Sequence, residues 1–305
     1  MLAVTEVSST VVVVTWRGAG HVTACLDALA AQNRPHRTMV VDNASDDGTA
    51  RLLAEHPSKP RVVRLSRNLG YAGAMAKAVS LVDTPLMAWL NDDAAPAPDW
   101  LGTLEDALGT AAAASARLDR PDGSPQSLGT RLTADGSGAD ALDEPVFGFC
   151  GGAALLRADV LRAIGGVPAD FFCYYEDTDT AWRLRLAGHE IVAVPQARVT
   201  HRHGVSTRPG SRQFHLWNER NRLLTLLRCA PATVAARELA RFAAITAALP
   251  LRREVPRAEN FRLPLRFQVL AEVLVRLPAT LRARRGIGRL ATVPRGQVWR
   301  NWTPR

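Results

Sequence analysis

Along the first two-thirds of the chain, apolar residues fall in short unbroken runs separated by polar turns, the pattern of strands covered on both faces. Ser9 to Trp16, with Val11-Val12-Val13-Val14, predicts a first strand, since β-branched side chains favour extended backbone. Val22, Cys25, Leu26 and Leu29 then recur at helical spacing between His21 and Gln32. Thr38-Met39-Val40-Val41 is a second strand, a helix ends near His56, and a third strand lies around Val62–Leu65. Asn68 to Gly73 opens a helix with Met75, Ala76, Val79 and Val82 on its inner side, and Leu86 to Leu90 forms a fourth strand. Pro96 and Pro98 prevent that strand from continuing. The alternation predicts an α/β fold with a mostly parallel central sheet, right-handed crossovers and flanking helices.

The rest is less regular. Asp99 to Gly109 predicts a helix capped by Asp99. Arg120 to Asp143 is rich in Gly, Asp, Ser and Pro, and is either a mobile loop over the sheet's carboxyl edge or a passive insertion. Val146 to Leu156 reads as an apolar strand interrupted by glycines, which mark close approach of a ligand or another backbone. A short helix near Ala158–Ile164, a helix carrying Trp182, Leu184 and Leu186, and a strand at Ile191–Val194 follow, and Val199–Gly204 ends the body. Beyond Arg212 come arginine-rich helices at Phe214–Leu227, Val234–Leu249 and Pro264–Leu281. The expected division is a domain over residues 1–212, with a nucleotide-binding half to about 95 and an acceptor half from 96, then a basic helical extension over 213–305.

Charge sharpens this division. The chain carries +9 overall, yet residues 208–305 hold 20 Arg against 5 Glu, a balance of +15 that leaves the first 207 residues at −6. An acidic body with a basic tail seeks anions: lipid headgroups, phosphates or nucleic acid. The acidic body and the few aromatics among basic residues argue against nucleic acid as the partner. An anionic membrane surface remains a candidate, as do ordinary solvated helices. Cys25, Cys150, Cys173 and Cys229 are scattered with no CxxC pair, which fits a reducing compartment. No signal-peptide pattern and no apolar run of spanning length is visible, so the expected place is the cytoplasm, with peripheral contact at the inner face of the plasma membrane. The oligomeric state is not legible.

Candidate chemistry gathers where strands end, the edge at which open α/β sheets bind ligands. Asp42 ends the second strand and suits a nucleobase or ribose contact, or is a plain turn residue. The Asn68–Gly73 turn offers backbone amides to phosphate, or simply packs tightly. Asp92 and Asp93 follow the fourth strand as adjacent like charges, whose repulsion a Mg²⁺ or Mn²⁺ ion would relieve. His201 at a later strand end is either a further ligand or a packed side chain. Glu176 and Asp177 follow an aromatic stretch, Phe171–Tyr175, whose apolar walls would raise a carboxylate's basicity; capping of the next helix is the plainer alternative. A dehydrogenase reading fails at the first turn, where Gly18-x-Gly20 is followed by Thr23 in place of the third glycine.

Taken in order, these stretches resemble the inverting family-2 glycosyltransferases of GT-A fold, and most nearly their rhamnosyltransferase-like bacterial branch. The match runs through Thr15, Val41-Asp42-Asn43-x-Ser-x-Asp-Gly-Thr49, Asn68-x-Gly-x-x-Gly73 and Leu90-Asn91-Asp92-Asp93. It continues with Gly151-Gly152, Glu176-Asp177-x-Asp179 and His201-x-x-Gly204-x-Ser206. The resemblance implies that Thr15, Arg17, Asp42, Asn43, Asn68, Gly70, Gly73 and Asp92 contact a nucleoside-diphosphate sugar, with dTDP-rhamnose the expected donor. It implies Asp93 and His201 as metal ligands, Asp177 as the base on the acceptor hydroxyl with Glu176 beside it, and Gly151, Gly152 and Glu176 at the acceptor. The acceptor would be a lipid-linked glycan or a natural-product aglycone. Two departures stand out: Asn91-Asp92-Asp93 replaces Asp-x-Asp, and Thr180-Ala181-Trp182-Arg183 replaces the Gln-x-x-Arg-Trp of processive synthases. A catalytically inactive relative that still binds nucleotide sugar would keep much of this pattern.

Overall fold

A valine run places β1 (Ser9–Thr15) at the heart of the sheet, and every residue of it is buried. In this computed structural model, which describes residues 7–202, 208–252 and 254–304, the chain continues as α1 (Val22–Ala30), β2 (Arg37–Asp42), α2 (Thr49–Glu55), β3 (Arg61–Arg64), α3 (Gly70–Val79) and β4 (Leu86–Asn91). Then come β5 (Ala94–Pro96), α4 (Trp100–Leu108), β6 (Ala113–Asp119), β7 (Pro125–Ser127), β8 (Gly129–Leu132), β9 (Gly138–Ala141), β10 (Ala153–Arg157) and α5 (Ala158–Ala163). The remainder is α6 (Glu176–Leu186), β11 (Ile191–His201), α7 (Arg212–Cys229), α8 (Ala232–Ala248), α9 (Leu263–Leu290) and α10 (Arg295–Trp302). Gly204 and Ser206 of the expected motif lie outside the described residues.

The main sheet runs β3-β2-β1-β4-β10-β6-β11-β5. β3, β2, β1 and β4 are mutually parallel, whereas β10 is antiparallel to both β4 and β6. Period-2 alternation sends Val12, Val14, Met87 and Trp89 into the core under α3, α6 and α7, and Val11, Val13, Ala88 and Leu90 into the core under α1 and α4. The C-terminal helices share the first of these cores through Leu216, Leu223, Val269 and Val273. α10 returns to α6, where Trp299 stacks on Trp182 and Arg185 lies over Trp302.

Three stretches differ from the sequence expectation. Arg120–Asp143 is ordered rather than loose: β7 pairs with β6, and β8 with β9 as a hairpin. Its short strands are too rich in turn residues to announce themselves by alternation. The strand expected over Val146–Leu156 begins only at Ala153, because the glycine-bearing half before it turns beneath α6. The strand expected at Ile191–Val194 runs on to His201 across a register shift between Val194 and Arg198. Pro195, which has no N–H to give, falls in that irregularity.

Candidate active site

The carboxyl ends of β1 and β4, the start of β10 and the N-terminus of α6 converge on a cleft of about 400 Å³. Asn43, Asn68, Gly70, Asp92, Asp93, Gly151, Gly152, Glu176, Asp177 and His201, all singled out from sequence, line it. Thr15, Arg17, Asp42 and Gly73 do not. Asp42 is fully buried, paired with Arg64 at 3.1 Å and accepting the Ser45 N–H at 2.9 Å. Arg17 is exposed and forms a two-pronged pair with Asp46. The turn before α3 spends its amides internally: Asn43 Oδ1 takes the Leu69 N–H, Asn68 Oδ1 that of Gly70, and the Phe172 carbonyl that of Ala72. Those three amides are therefore not open to phosphate. Gly70 is required there, since its φ is +72° and a Cβ would collide with the Phe172 carbonyl.

One wall carries Asp93 and His201. His201 Nε2 stands 3.0 Å from Asp93 Oδ1 and 3.1 Å from Asn91 Nδ2; His201 is buried and Asp93 partly so. The other ring nitrogen, Nδ1, faces Gln126 Oε1 at 3.1 Å. An amide oxygen can only accept, so Nδ1 carries a proton. In a neutral ring Nε2 then presents a lone pair to the Asp93 carboxylate, and two acceptors at that distance need a proton or a cation between them. A histidine fixed through its outer nitrogen is the arrangement that supports metal ligation. The separation is also about the edge of an octahedron with ~2.1 Å arms. Among the described residues no group of three or more His, Cys, Asp or Glu side chains could hold a metal. The Asp93–His201 pair thus fits Mg²⁺ or Mn²⁺ only where a substrate supplies further oxygens. Burial pushes Asp93 up, but a protonated His201 ring, which would supply both the hydrogen bond and a charge, and the charge of His21 more than offset it and leave the carboxyl below its ordinary value. Behind this wall His21 Nε2 lies 3.1 Å from Asp92 Oδ2, both buried, at an angle short of a full hydrogen bond.

The opposite wall carries the two acids of α6, and their surroundings differ. Asp177 Oδ1 accepts the Thr178 N–H at 2.6 Å and its hydroxyl at 3.1 Å, while Oδ2 accepts the Gly151 N–H at 3.2 Å. Burial still raises its pKa, against those three donors. Glu176 is buried with Oε2 unpartnered, and burial followed by the neighbouring Asp177 charge pushes its carboxyl up to about 8. Tyr71 donates to the Gly151 carbonyl at 3.0 Å and closes the floor between the acids and the glycines.

The loop that delivers these acids is strained. Phe172, Tyr174 and Tyr175 all have φ of 68° or 69°, and none is glycine. Such residues cost on the order of 1–3 kcal/mol each and persist only where their surroundings fix them. Asn221 of α7, fully buried, supplies the restraint: its Nδ2 donates to the carbonyls of Phe171, Cys173 and Tyr174 at 3.0, 2.8 and 2.8 Å. Arg220 adds a bond to the Phe171 carbonyl at 2.6 Å, and Trp217 packs on Phe172 at 4.7 Å. An acid pair beside a strained aromatic loop, lining one cleft with an Asp–His pair, is equipped to take a proton from one bound group while a cation held by the Asp–His pair meets an anion.

The family model for "Glycosyl transferase family 2" matches residues 10–165. The chain belongs to glycosyl transferase family 2. Among curated relatives it is 26% identical over 235 residues to an N-acetylglucosaminyl-diphospho-decaprenol L-rhamnosyltransferase of Mycobacterium tuberculosis, covering 65% of this chain and 76% of that one. The fold matches a mannosyltransferase of Pyrobaculum calidifontis solved with GDP-mannose and Mn²⁺, at TM-score 0.56 and 19% identity over 93% of this chain and 85% of that one. It also matches TarS residues 1–349 of S. aureus in complex with UDP-GlcNAc, at TM-score 0.59 and 16% identity over 98% of this chain and 93% of that one. The protein is a glycosyltransferase of GT-A fold.

Within this frame several site residues carried no sequence signal of their own. Gln126, His21 and Tyr71 are ordinary residues in a polar loop, a turn and a helix, and only the fold brings them to the site. Asn221 had a weak signal: it is an amide on the apolar side of a helix, and a buried amide needs partners.

Proposed function

We propose that this glycosyltransferase moves one rhamnosyl unit from dTDP-rhamnose to a hydroxyl of a lipid-linked N-acetylglucosamine, with inversion at the anomeric carbon. The observation that carries the reading is the pairing of Asp177 and Glu176 with Asp93 and His201 on two walls of one cleft. A second cleft, about 430 Å³, lies elsewhere on the sheet and offers His36, Arg37, Lys59, Arg61 and Asp83, with no paired acids. The rhamnosyl unit and the acceptor follow the name of the mycobacterial relative, and dTDP as the carrier follows the resemblance drawn from the sequence. In that frame Asp177 takes the proton of the acceptor hydroxyl as its oxygen bonds to the anomeric carbon. The bond from that carbon to the diphosphate breaks on the opposite face, and its electron pair leaves with the diphosphate. Asp93 and His201 would hold Mg²⁺ or Mn²⁺, which when bound offsets charge on the departing diphosphate. Asp92, steadied by His21, and the Asn43–Asn68 pair sit on the nucleotide side, with Thr15, Arg17 and Asp42 further along the same edge. Gly151 and Gly152, without side chains, leave the acceptor room next to Asp177.

Single addition fits the residues after the base, because Arg183 is committed to Asp179 at 2.7 Å in the core. A lipid-linked acceptor would bring residues 1–212 to the inner face of a membrane, in envelope assembly, with 213–305 as the basic extension toward it. The test is calorimetric titration with dTDP, UDP and GDP, each with Mn²⁺ and with EDTA. The expected result is dTDP binding that requires the metal. Preference for UDP or GDP overturns the donor, metal-independent binding overturns the role of Asp93 and His201, and no binding to any nucleotide overturns the transferase reading.

A further inference from the structure

Seven of the nine exposed large apolar side chains among the described residues lie between Leu251 and Leu290, although this segment is less than a seventh of the chain. Such clustering is not the scatter of single apolar residues that any surface shows. α9 holds five of them, and its periodicity explains the pattern. The helix buries Leu265, Val269, Val273, Thr280 and Ile287, which repeat along one side at helical spacing and pack on the body. The opposite side carries Phe267, Leu274, Val275 and Pro278, of which Phe267, Leu274 and Val275 are 59%, 64% and 79% exposed. The same outward line continues past Pro278 as Arg282, Arg285 and Arg289, all exposed. A soluble surface helix is polar on its outer face, whereas this one is apolar on both faces for its first half and cationic outside for its second. No helix of the described residues is long and apolar enough to cross a membrane.

We propose that the outward face of α9 is a docking surface for an anionic lipid bilayer. The apolar stripe from Phe267 to Pro278 covers about 17 Å of helix and would enter the headgroup–acyl boundary. The three arginines beyond it would meet lipid phosphates, and the +15 balance of residues 208–305 adds long-range attraction. Charge decides against a second copy of this chain as occupant. A two-fold contact over this face either sets the arginine stripes against each other or, with the helices antiparallel, buries each against the other copy's apolar stripe, and no acidic residue on the stripe answers them in either case. The only acid of α9, Glu272, points inward to Arg220 at 2.8 Å. Arg220 in turn holds the Phe171 carbonyl, so the helix that docks is tied through Arg220 of α7 to the loop before Asp177. The lipid-linked acceptor of the proposed reaction gives this surface its use, but docking itself needs no transfer and is read separately from it.

The experiment is co-sedimentation of the purified full chain with vesicles of phosphatidylcholine alone or with phosphatidylglycerol. The wild-type chain is expected to bind the anionic vesicles and to lose most binding on neutral ones. Phe267→Gln, Leu274→Gln and Val275→Gln together alter exposed positions only. They are expected to weaken binding roughly tenfold or more while dTDP titration is unchanged. Arg282→Gln, Arg285→Gln and Arg289→Gln together should remove most of the preference for phosphatidylglycerol. No wild-type binding to anionic vesicles overturns the proposal, as does undiminished binding by the apolar triple variant. Concentration-dependent dimers in sedimentation velocity that the apolar triple variant abolishes would overturn it in favour of self-association.

Discussion

Glu176 and Asp177 are adjacent in sequence yet differ in what holds them. Three donors fix Asp177, whereas one oxygen of Glu176 has none. This contrast predicts a pH dependence of stability with a definite sign. Burial raises the Glu176 carboxyl to about 8 in the folded chain from an ordinary value of 4.5. Its stabilising contribution is then fully present below the ordinary carboxylate range and is lost as pH rises through about 8. Denaturant unfolding of wild type should therefore show stability falling between pH 5 and 8 relative to Glu176→Gln, whose amide does not titrate. Parallel profiles would contradict it. On the other wall, Gln126 fixes the His201 tautomer, so Gln126→Leu should lower Mn²⁺ affinity about tenfold to a hundredfold in the presence of nucleotide. Unchanged metal titration would show that Gln126 has no such influence. The acids themselves were legible from sequence, because adjacent carboxylates after an apolar run or an aromatic stretch stand out. Gln126 was not, because its meaning arises only where β7 passes β11.

At the scale of elements, α7 is the brace of the site. Asn221 caps three carbonyls of a loop with three left-handed non-glycine residues, and no other side chain in the described residues bonds all three. Asn221→Ala should cost about 1–3 kcal/mol of stability, since the carbonyls lose a donor inside the protein. Turnover should fall while dTDP affinity stays near wild type, because Asn43, Asn68 and the Asp93–His201 pair are untouched. Loss of nucleotide binding in equal measure would indicate general disruption instead. The sequence announced α7 as an arginine-rich helix, yet its task depends on the path of the Phe171–Tyr175 loop, which no periodicity describes. The antiparallel insertion of β10 between β4 and β6 was equally hidden. A buried apolar strand reads the same in either direction, so its partners and sense come from tertiary packing alone.

Across the whole molecule, the first four strands and their helices follow the hydrophobic pattern closely, and the edge that carries the candidate site follows from them. The basic C-terminal part was legible as charge but not as geometry. Its helices share the core of the sheet through Leu216, Leu223, Val269 and Val273, and turn a second apolar face outward on α9. Everything converges on one claim: Asp177 accepts the proton of an acceptor hydroxyl in a sugar transfer. The direct measurement is transfer of labelled sugar from dTDP-rhamnose to a polyprenyl-diphosphate N-acetylglucosamine acceptor by wild type and by Asp177→Asn, beside dTDP titration of both. The predicted result is product from wild type, at least about a hundredfold slower formation by Asp177→Asn, and equal dTDP affinity. Near-normal turnover by Asp177→Asn, or no product from wild type that binds dTDP, would contradict it.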